Sequence, residues 1–477
     1  MLMASHLDHR GPSTADTMER LSADDTRILR LESDAIAGHT LKLAIVEPAH
    51  DGQPLTVERV RNRVEARLPN LPRARQRLAP TPLRLAAPAW VDDSDFDVRN
   101  HVRAAPGAVR DRAQLMRHVG SVMAERLDHT RPLWGIGVVG PLEDGRTALV
   151  IRIHHCLADG VTCLRLLSQL LWDTDDDGEP RVPGPWQPQQ APGRLRLLAS
   201  GAGSRLHGIG GALAGGARAA AAPRRWRDGR RGLAALPATL RRELWPLGTE
   251  TAFDRRIGGE REVAFTACEL DDLKRIEHAV GKGVTVNDVV LAVVAGAVRR
   301  WLDAHHQPMQ AMRAQIPVSM HHRGENPDEL GNRDSFLFCD LPVAEPDPRK
   351  RLATINAETL SRKQHHDADE LFSFFHSLSH IRPLYRVASE LTSGPREFAL
   401  SISNVPGPRE PVHMLTGRVA ELYSVAEPAD RHALRASAVS LAGRMGFGFC
   451  TDPGAVPGVA ELAAGLDASL QELRALG

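Results

Sequence analysis

One stretch decides the fold of this chain: Ala148-Leu149-Val150-Ile151-Arg152-Ile153-His154-His155-Cys156-Leu157-Ala158-Asp159-Gly160. Its first six residues are mostly apolar and β-branched, which predicts a strand. Residues 161–172 follow, and their leucines recur at helical spacing. The two histidines, the aspartate and the glycine therefore lie on a strand-to-helix turn, where a rigid base exposes a reactive side chain.

The residue types on this turn point to acid–base chemistry. Histidine takes up and releases protons near neutral pH, and a hydroxyl or amine nucleophile needs such a base when it attacks a carbonyl. Adjacent side chains of a strand face opposite ways, so only one of His154 and His155 can face a given cleft. A histidine pair alone would be two ordinary turn residues, but Asp159-Gly160 at this spacing favours catalysis. We expect Asp159 to accept backbone N–H bonds or pair with an arginine, and Gly160 to permit a close approach.

A cysteine nucleophile at Cys156 is a weaker alternative, because sequence neighbours seldom have the geometry of a nucleophile and its base. We expect Cys156 to be a small buried side chain. The five cysteines are scattered without a CxxC pair, which indicates a reducing compartment and no structural zinc. The histidine pairs at 305–306, 321–322 and 365–366 lack further ligands at the usual spacings, so we expect surface histidines and no metal.

Length and composition indicate a globular protein of two or three domains, since 477 residues exceed one simple core. The net charge of +1 gives no sign of a nucleic-acid partner. No apolar run approaches the roughly 18–20 residues of a membrane span, and the N-terminus lacks the apolar region of a signal peptide. We therefore expect a cytoplasmic protein, which can still touch a membrane surface.

The pattern along the chain predicts two mixed α/β halves joined by a linker. The predicted divisions are a flexible N-terminus at 1–20, a first half at 21–192, a linker at 193–250 and a second half at 251–477. Eleven arginines and two acids fall between Arg194 and Glu243, so the linker either attracts an anionic surface or is simply solvated. The clearest further elements are strands at 41–46 and 261–265 and helices at 57–68, 270–280 and 287–302.

Three other segments attract attention. Thr285 or Asn287 suits the N-cap of the helix that follows, and Asp288 suits its first turn. Asn404 precedes the stiff Pro406-Gly407-Pro408 turn and is either a turn residue or a donor aimed at a substrate oxygen. Pro132-Leu133-Trp134, by itself, is a turn followed by a core aromatic.

Together these segments resemble the bacterial wax ester synthase/diacylglycerol acyltransferase family, from about Leu21 to Leu476. The HHxxxDG pattern alone is shared with peptide-synthetase condensation domains and other CoA-dependent acyltransferases, whereas the ordered set is more specific. The matching segments, in family order, are Leu21–Asp25 with Leu29 and Glu32, Trp90-Val91, Phe96–Val98, His101–Arg103, Pro132–Trp134, His154–Gly160, Asn287-Asp288, Pro317–Ser319, Gly331-Asn332 and Ser403–Pro408.

The resemblance implies a mixed α/β fold of two chloramphenicol-acetyltransferase-like halves with an active-site tunnel between them. It implies that His155 is the general base, that His154 supports it and that Asp159 is structural. Gly160, Asn287 and Asp288 would shape the site. A weaker expectation is substrate binding by Asn404 and by Pro132, Leu133 and Trp134.

The implied reaction moves a fatty acyl group from acyl-CoA to a long-chain alcohol or diacylglycerol, without a cofactor, a metal or an acyl-enzyme. The implied partners are acyl-CoA, a lipid alcohol and a peripheral membrane or lipid-inclusion surface. Two alternatives stay open: a specialised natural-product or carrier-bound acceptor, and a non-catalytic lipid-binding relative. The family's methionine-histidine-valine-glycine segment appears here as Gly38-His39-Thr40-Leu41, a departure that bears on the acceptor.

Overall fold

The computed structural model describes residues 18–49, 52–174, 186–201, 250–281, 283–319, 334–365 and 397–475. Within these ranges the chain forms two six-stranded sheets and one two-stranded sheet, together with helices that cover them. The predicted mixed α/β fold class is confirmed.

The strands, in chain order, are β1 (His39–Val46), β2 (Gln76–Ala79), β3 (Ala89–Asp92), β4 (Val102–Ala104), β5 (Trp134–Val139), β6 (Thr147–His154), β7 (Glu262–Glu269), β8 (Met312–Ser319), β9 (Asp334–Leu341), β10 (Leu400–Val405), β11 (His413–Met414), β12 (Gly417–Ala426), β13 (Leu434–Leu441) and β14 (Arg444–Thr451). The helices are α1 (Ala23–Arg30), α2 (Val57–Arg67), α3 (Val98–His101), α4 (Arg112–Ala124), α5 (Gly160–Leu171), α6 (Leu270–Val280), α7 (Val286–Ala304), α8 (Pro348–His365) and α9 (Val459–Arg474). Single turns of 3₁₀ helix lie at Leu68–Asn70, Pro72–Arg75 and Pro82–Arg84.

The first sheet has the order β11-β12-β1-β6-β5-β4, and the second has the order β7-β14-β13-β10-β8-β9. In the first sheet only the β4–β5 pair is parallel, and in the second β10 is parallel to both neighbours. Central strands β1 and β6 are buried along almost their whole length, which explains their near-continuous apolar sequence. Helix α5 packs on the first sheet through buried leucines, including Leu166, Leu167 and Leu170.

Strand β12 comes from the second half of the sequence but belongs to the first sheet. It pairs antiparallel with β1, from Thr40 opposite Ala426 to Val46 opposite Val419. Glycines of β14 let the second sheet approach it closely, because a Cβ on Gly446 or Gly448 would collide with a carbonyl of β12. The two halves therefore share the first sheet and a hydrophobic cluster that includes Leu41, Val150 and Phe265, instead of meeting at a simple interface.

Most sequence-predicted elements are confirmed with small shifts of their ends. Helix α6 spans the predicted 270–280, and the helix predicted at 287–302 runs from Val286 to Ala304 because Thr285 is its N-cap. Arg20, the last residue of the segment predicted to be flexible, forms a β-bridge with Ala89. Residues 1–17, linker residues 202–249, His321, His322, Gly331, Asn332 and His366 lie outside the described residues. No helix within the described ranges combines the length and the apolarity that crossing a membrane requires.

Candidate active site

The HHxxxDG turn joins the end of β6 to the start of α5. Asp159 is the N-cap of α5: its buried carboxylate accepts a hydrogen bond from the backbone N–H of Thr162 at 2.8 Å. A Cβ on Gly160 would lie 2.9 Å from Cγ2 of Val405, on strand β10 of the second sheet. Asp159 therefore fixes the start of the helix, and Gly160 lets the turn touch the other half of the molecule.

His154 faces a half-buried carboxylate. Its Nδ1 accepts a hydrogen bond from the backbone N–H of Cys156 at 3.0 Å, so the neutral ring carries its proton on Nε2. Nε2 donates to Oε1 of Glu32 at 2.6 Å, and His129 bonds the same oxygen at 2.8 Å. Burial alone raises the pKa of Glu32, but the hydrogen bonds from His129 and His154 outweigh it and lower the pKa to about 2.

Glu32, His129 and His154, here called the Glu32 cluster, bring three ligand atoms close enough for a metal ion. The donor set does not fit one, because a ligating Nε2 must present a lone pair and here it carries the proton. The other neutral tautomer of His154 would place an Nδ1–H against the backbone N–H of Cys156. The cluster is therefore a hydrogen-bonded support for His154.

Gly38 completes the surroundings of His154. Its φ is +77°, a left-handed conformation that glycine adopts without strain. A Cβ there would come within 2.5 Å of His154 Nε2 and 2.9 Å of Glu32 Cγ. The unusual Gly38-His39 segment is visible in the sequence, but the lack of room for a Cβ at Gly38 is visible only in the structure.

His155 has a different environment. It keeps part of its surface accessible, and its backbone N–H donates to Gly38 O at 2.9 Å. Burial lowers the pKa of His155 to about 3, and the charge of Arg435 acts in the same direction. Arg435 lies on β13, so charges of the second sheet reach this ring. A neutral imidazole can accept a proton from a hydroxyl group held against it.

A buried lysine lies in the same electrostatic neighbourhood. Lys42 of β1 donates from Nζ to Ser424 Oγ at 2.6 Å, and burial lowers its pKa. Its charge also lowers the pKa of His155, which places it near the motif. Lys42 is not identifiable as a site residue from the sequence, because a lysine on a predicted strand is expected to face solvent.

The second half brings Asn287 and Asn404 together. Asn404 Nδ2, on β10, donates to Asn287 Oδ1 at 3.4 Å, at the start of α7. Asp288 is fully buried and forms a capping box with Thr285. Its carboxylate also accepts hydrogen bonds from Thr359 at 2.7 Å and Asn356 at 3.0 Å, both on α8. The cap is therefore Thr285 and not Asn287, and Asp288 ties two helices together.

Pro132, Leu133 and Trp134 lie in the core of the first half. Trp134 Nε1 donates to Ala74 O at 2.7 Å, and its ring stacks on His101 at 4.6 Å between centroids. Leu133 O accepts the backbone N–H of His154 at 3.0 Å. These contacts give the segment a packing role beside the motif, and its predicted binding of substrate stays a prediction.

A cavity of about 680 Å³ lies beside His129 of the Glu32 cluster. Its wall includes His129 and Arg131 as well as Leu78, Pro80 and Pro88. Its lining does not include His155 among the described residues. The tunnel that the resemblance implies at the junction of the halves therefore stays a prediction, separate from this cavity.

The remaining cysteine and histidine candidates are explained by packing or by contacts at the surface. Cys156 is buried, as predicted, and burial raises the pKa of its thiol well above the usual value. His305 bonds Glu461 at 2.9 Å and stacks on Trp301. His306 and His365 are exposed.

Comparison with known proteins accounts for nearly the whole described chain. The model of the wax ester synthase/diacylglycerol acyltransferase catalytic domain matches residues 21–290, and that of the family's C-terminal domain matches residues 330–474. A putative diacylglycerol O-acyltransferase of Mycobacterium bovis is 32% identical over 467 residues, which cover 96% of this chain and 99% of that protein. A second putative diacylglycerol O-acyltransferase, from Mycobacterium tuberculosis, is 31% identical over 96% of this chain and 97% of its own length.

Solved structures show the same fold. The wax ester synthase/diacylglycerol acyltransferase of Marinobacter aquaeolei VT8 aligns with a TM-score of 0.67 at 22% identity, over 96% of this chain and 98% of that one. The first condensation domain of the calcium-dependent antibiotic synthetase, with a substrate analogue, aligns with a TM-score of 0.61 at 15% identity, over 97% and 96%.

Proposed function

Because the chain belongs to the wax ester synthase/diacylglycerol acyltransferase family and is an acyltransferase, we propose that it transfers a fatty acyl group from acyl-CoA to a lipid alcohol, with His155 as the general base. The acceptor is a long-chain alcohol or diacylglycerol, and the products are a wax ester or a triacylglycerol. No cofactor takes part, and acyl-CoA is a co-substrate. The proposal extends to a site of action at the inner face of the membrane or on lipid inclusions, where such acceptors accumulate.

The observation that carries this proposal is the difference between the two imidazoles of the motif. His154 is fully buried and both ring nitrogens are engaged, whereas His155 keeps accessible surface and a lowered pKa. A base must be neutral and reachable before it can take a proton. The lowered pKa of His155, the partial exposure of the residue and its place on a turn that Asp159 and Gly160 hold support this role.

The reaction begins when the hydroxyl oxygen of the acceptor attacks the thioester carbonyl. His155 takes the hydroxyl proton, the C–O bond forms, and the carbonyl oxygen becomes an oxyanion. Collapse of this intermediate re-forms the carbonyl and breaks the C–S bond, and the departing CoA thiolate takes a proton from the imidazolium. The imidazole is thereby neutral again, and no acyl-enzyme is formed.

Two further roles belong to the proposal. Holding both substrates beside one imidazole supplies the proximity that makes the transfer effectively unimolecular. Asn404 is the proposed donor to the oxyanion, supported by its place on β10, the strand that the motif turn touches through Gly160. Loss of such a donor typically lowers the rate by about 10² to 10³.

The test is an assay of the purified protein with long-chain acyl-CoA and either hexadecanol or diacylglycerol, following CoA release and the ester by mass spectrometry. We expect ester with at least one of these acceptors and no ester with His155→Ala. Product only with a carrier-bound or natural-product acceptor would replace the lipid acceptor by the specialised one. Equal activity of the wild type and His155→Ala would overturn the catalytic role.

Direct transfer has its own test. Incubation with labelled acyl-CoA in the absence of acceptor should leave no label on the denatured protein, and Cys156→Ala should keep its activity. A trapped acyl-protein would contradict direct transfer. Loss of both label and turnover in Cys156→Ala would identify a cysteine enzyme.

A further inference from the structure

A small platform on the first half is built from two distant parts of the chain. Strands β2 and β3 pair with each other and are joined by the loop at 80–88. A helical segment at 194–201 packs against them. Leu197 of this segment is buried against Ala79, Ala89 and Val91. We call residues 76–92 and 194–201 the Leu83 platform.

Arg20 holds the two parts of the platform together. Its Nη1 donates to Thr81 Oγ1 at 2.8 Å and to Ala87 O at 2.7 Å. Its Nη2 donates to Leu197 O at 3.2 Å and to Ser200 Oγ at 3.1 Å. One guanidinium therefore fixes both the loop and the helical segment, so side chains on them are held in a defined place.

Leu83, in the loop, has an energetically unfavourable side-chain environment and an unfavourable backbone conformation. Its side chain is 85% exposed, and its backbone has φ +56° and ψ 13°. A left-handed conformation suits glycine or asparagine and strains leucine. Exposing a leucine forfeits the free energy that its burial would release. Nothing within the described chain compensates for either cost at this side chain.

Leu195, on the helical segment, is exposed in the same way. It is 82% exposed and is flanked by Arg194 and Arg196, which are also exposed. The segment thus buries Leu197 on one side and presents an apolar side chain between two cations on the other. The other large exposed apolar side chains of the described chain, Leu31 and Leu360, are 53% and 40% exposed.

The platform adjoins the 680 Å³ cavity described above. Leu78, Pro80 and Pro88 of the platform line this cavity, and so does His129 of the Glu32 cluster. Ligands that enter from the platform side would therefore pass beside the support of the HHxxxDG turn.

We propose that the Leu83 platform is the surface through which this protein docks on an anionic phospholipid layer. Leu83 and Leu195 insert among the acyl chains, and Arg194 and Arg196 bind lipid phosphates. The proposal rests on the proposed function, because a lipid alcohol has to be collected from a lipid phase. It names the surface that does so.

The side chains favour a lipid layer over a protein partner. Protein partners are recognised by a groove, an open sheet edge or a broad complementary patch of about 1,000 Å² or more. The platform instead offers two almost fully exposed leucines, one of them between arginines. Apolar insertion combined with electrostatic attraction gives reversible binding to anionic membranes.

The test is flotation of the full-length protein with vesicles of phosphatidylcholine and phosphatidylglycerol. The variant is the double substitution Leu83→Asn with Leu195→Gln. Asparagine tolerates a left-handed backbone and glutamine suits a helix, so both changes remove apolar surface without opposing the local fold. The matched control is Leu360→Gln, which removes an exposed leucine from α8 in the second half.

We expect the wild type and Leu360→Gln to float with anionic vesicles alike, and the double variant to bind about tenfold more weakly or worse. Vesicles of phosphatidylcholine alone should bind the wild type more weakly, because the arginines then lack an anionic surface. The proposal is overturned if the wild type does not bind, if the double variant binds like the wild type, or if Leu360→Gln loses as much.

A second assay separates this inference from the proposed function. With short-chain acyl-CoA and a water-soluble alcohol, the double variant should keep the wild-type kcat/KM, whereas with acceptor in vesicles its rate should fall. Equal loss with both acceptors would indicate damage to the enzyme and overturn the docking role. If the wild type turns over neither acceptor, the proposed function fails, and flotation alone still decides the docking surface.

Discussion

His154 and His155 are neighbours in the chain but differ in nearly every physical respect. His154 bonds the Cys156 N–H on one side of its ring and a shared carboxylate on the other. His155 keeps accessible surface and lies where charges from both sheets reach it. The end of β6 therefore carries a histidine with both ring nitrogens bonded, and the turn that follows carries one that stays partly accessible.

The comparison shows what each face requires. The face of His154 has a full set of partners, so a change there should act mainly on stability. His155 is a neutral imidazole near the cations Arg435 and Lys42 and is the proposed general base, so a change there should act mainly on turnover. Substitutions on the two faces should therefore separate effects on turnover from effects on stability.

Replacing His155 should have the largest effect. His155→Ala removes the base, and kcat/KM for acyl transfer should fall by about 10² to 10⁴, because a positioned general base contributes this much. Steady-state kinetics measure the loss, and urea unfolding should show little change in stability. His154→Ala is the matched variant, and a larger loss of turnover there than in His155→Ala would reverse the assignment of the two rings.

Weakening the Glu32 cluster should cost stability. Glu32→Gln keeps the size of the side chain but removes the charge that His129 and His154 share, so the free energy of unfolding should fall by about 1.5–3 kcal/mol. Urea unfolding measures it. Glu47→Gln is the control, because its ion pair with Arg418 is exposed and should contribute less than about 1 kcal/mol. Equal effects of the two substitutions would contradict the structural role of the cluster.

Adding one methyl group to the turn tests how closely the halves meet there. In Gly160→Ala the new Cβ lies 2.9 Å from Cγ2 of Val405, so β10 or the turn has to move, at a cost of about 1–3 kcal/mol. Val405→Ala should restore part of the stability in the double variant. Gly193→Ala is the control, since no atom lies within 4 Å of its added Cβ. Thermal unfolding of the four proteins decides it.

The pH dependence should show the smallest effect. A base has to be unprotonated, and the pKa of His155 is lowered from 6.5 to about 3. Protonation would therefore remove the base only as pH falls toward 3, and kcat/KM should stay level between about pH 5 and 8. A pH profile with a short-chain substrate measures it. A reproducible loss of kcat/KM below pH 6.5 would contradict this expectation, because it would show that the base is protonated there.

Much of the fold could be predicted because local patterns determine it. Helices α5, α6 and α7 have apolar residues at helical spacing, and β1 and β6 have the apolar runs of strands buried on both faces. The sequence does not distinguish Thr285 from Asn287 as the cap of α7, since either side chain can accept a backbone N–H of a first helical turn. The structure identifies Thr285 as the N-cap, because the carboxylate of Asp288 accepts the backbone N–H of Thr285 and completes the capping box.

The Glu32 cluster and Lys42 could not be predicted, for two different reasons. Glu32 and His129 reach His154 across 122 and 25 positions of sequence, and no local pattern encodes such contacts. Lys42 breaks the apolar pattern of its strand, and its partner Ser424 lies 382 positions away. The sequence motif did identify the turn itself, and the side chains on its two faces became distinguishable only through their partners.

Strand β12 has a consequence for how this protein is made. One of the two neighbours of β1 is encoded at residues 417–426, so the first sheet stays incomplete until the ribosome has synthesised that segment. Until then the nascent chain presents a long apolar strand edge, the kind of surface that chaperones shield and that aggregates if left bare.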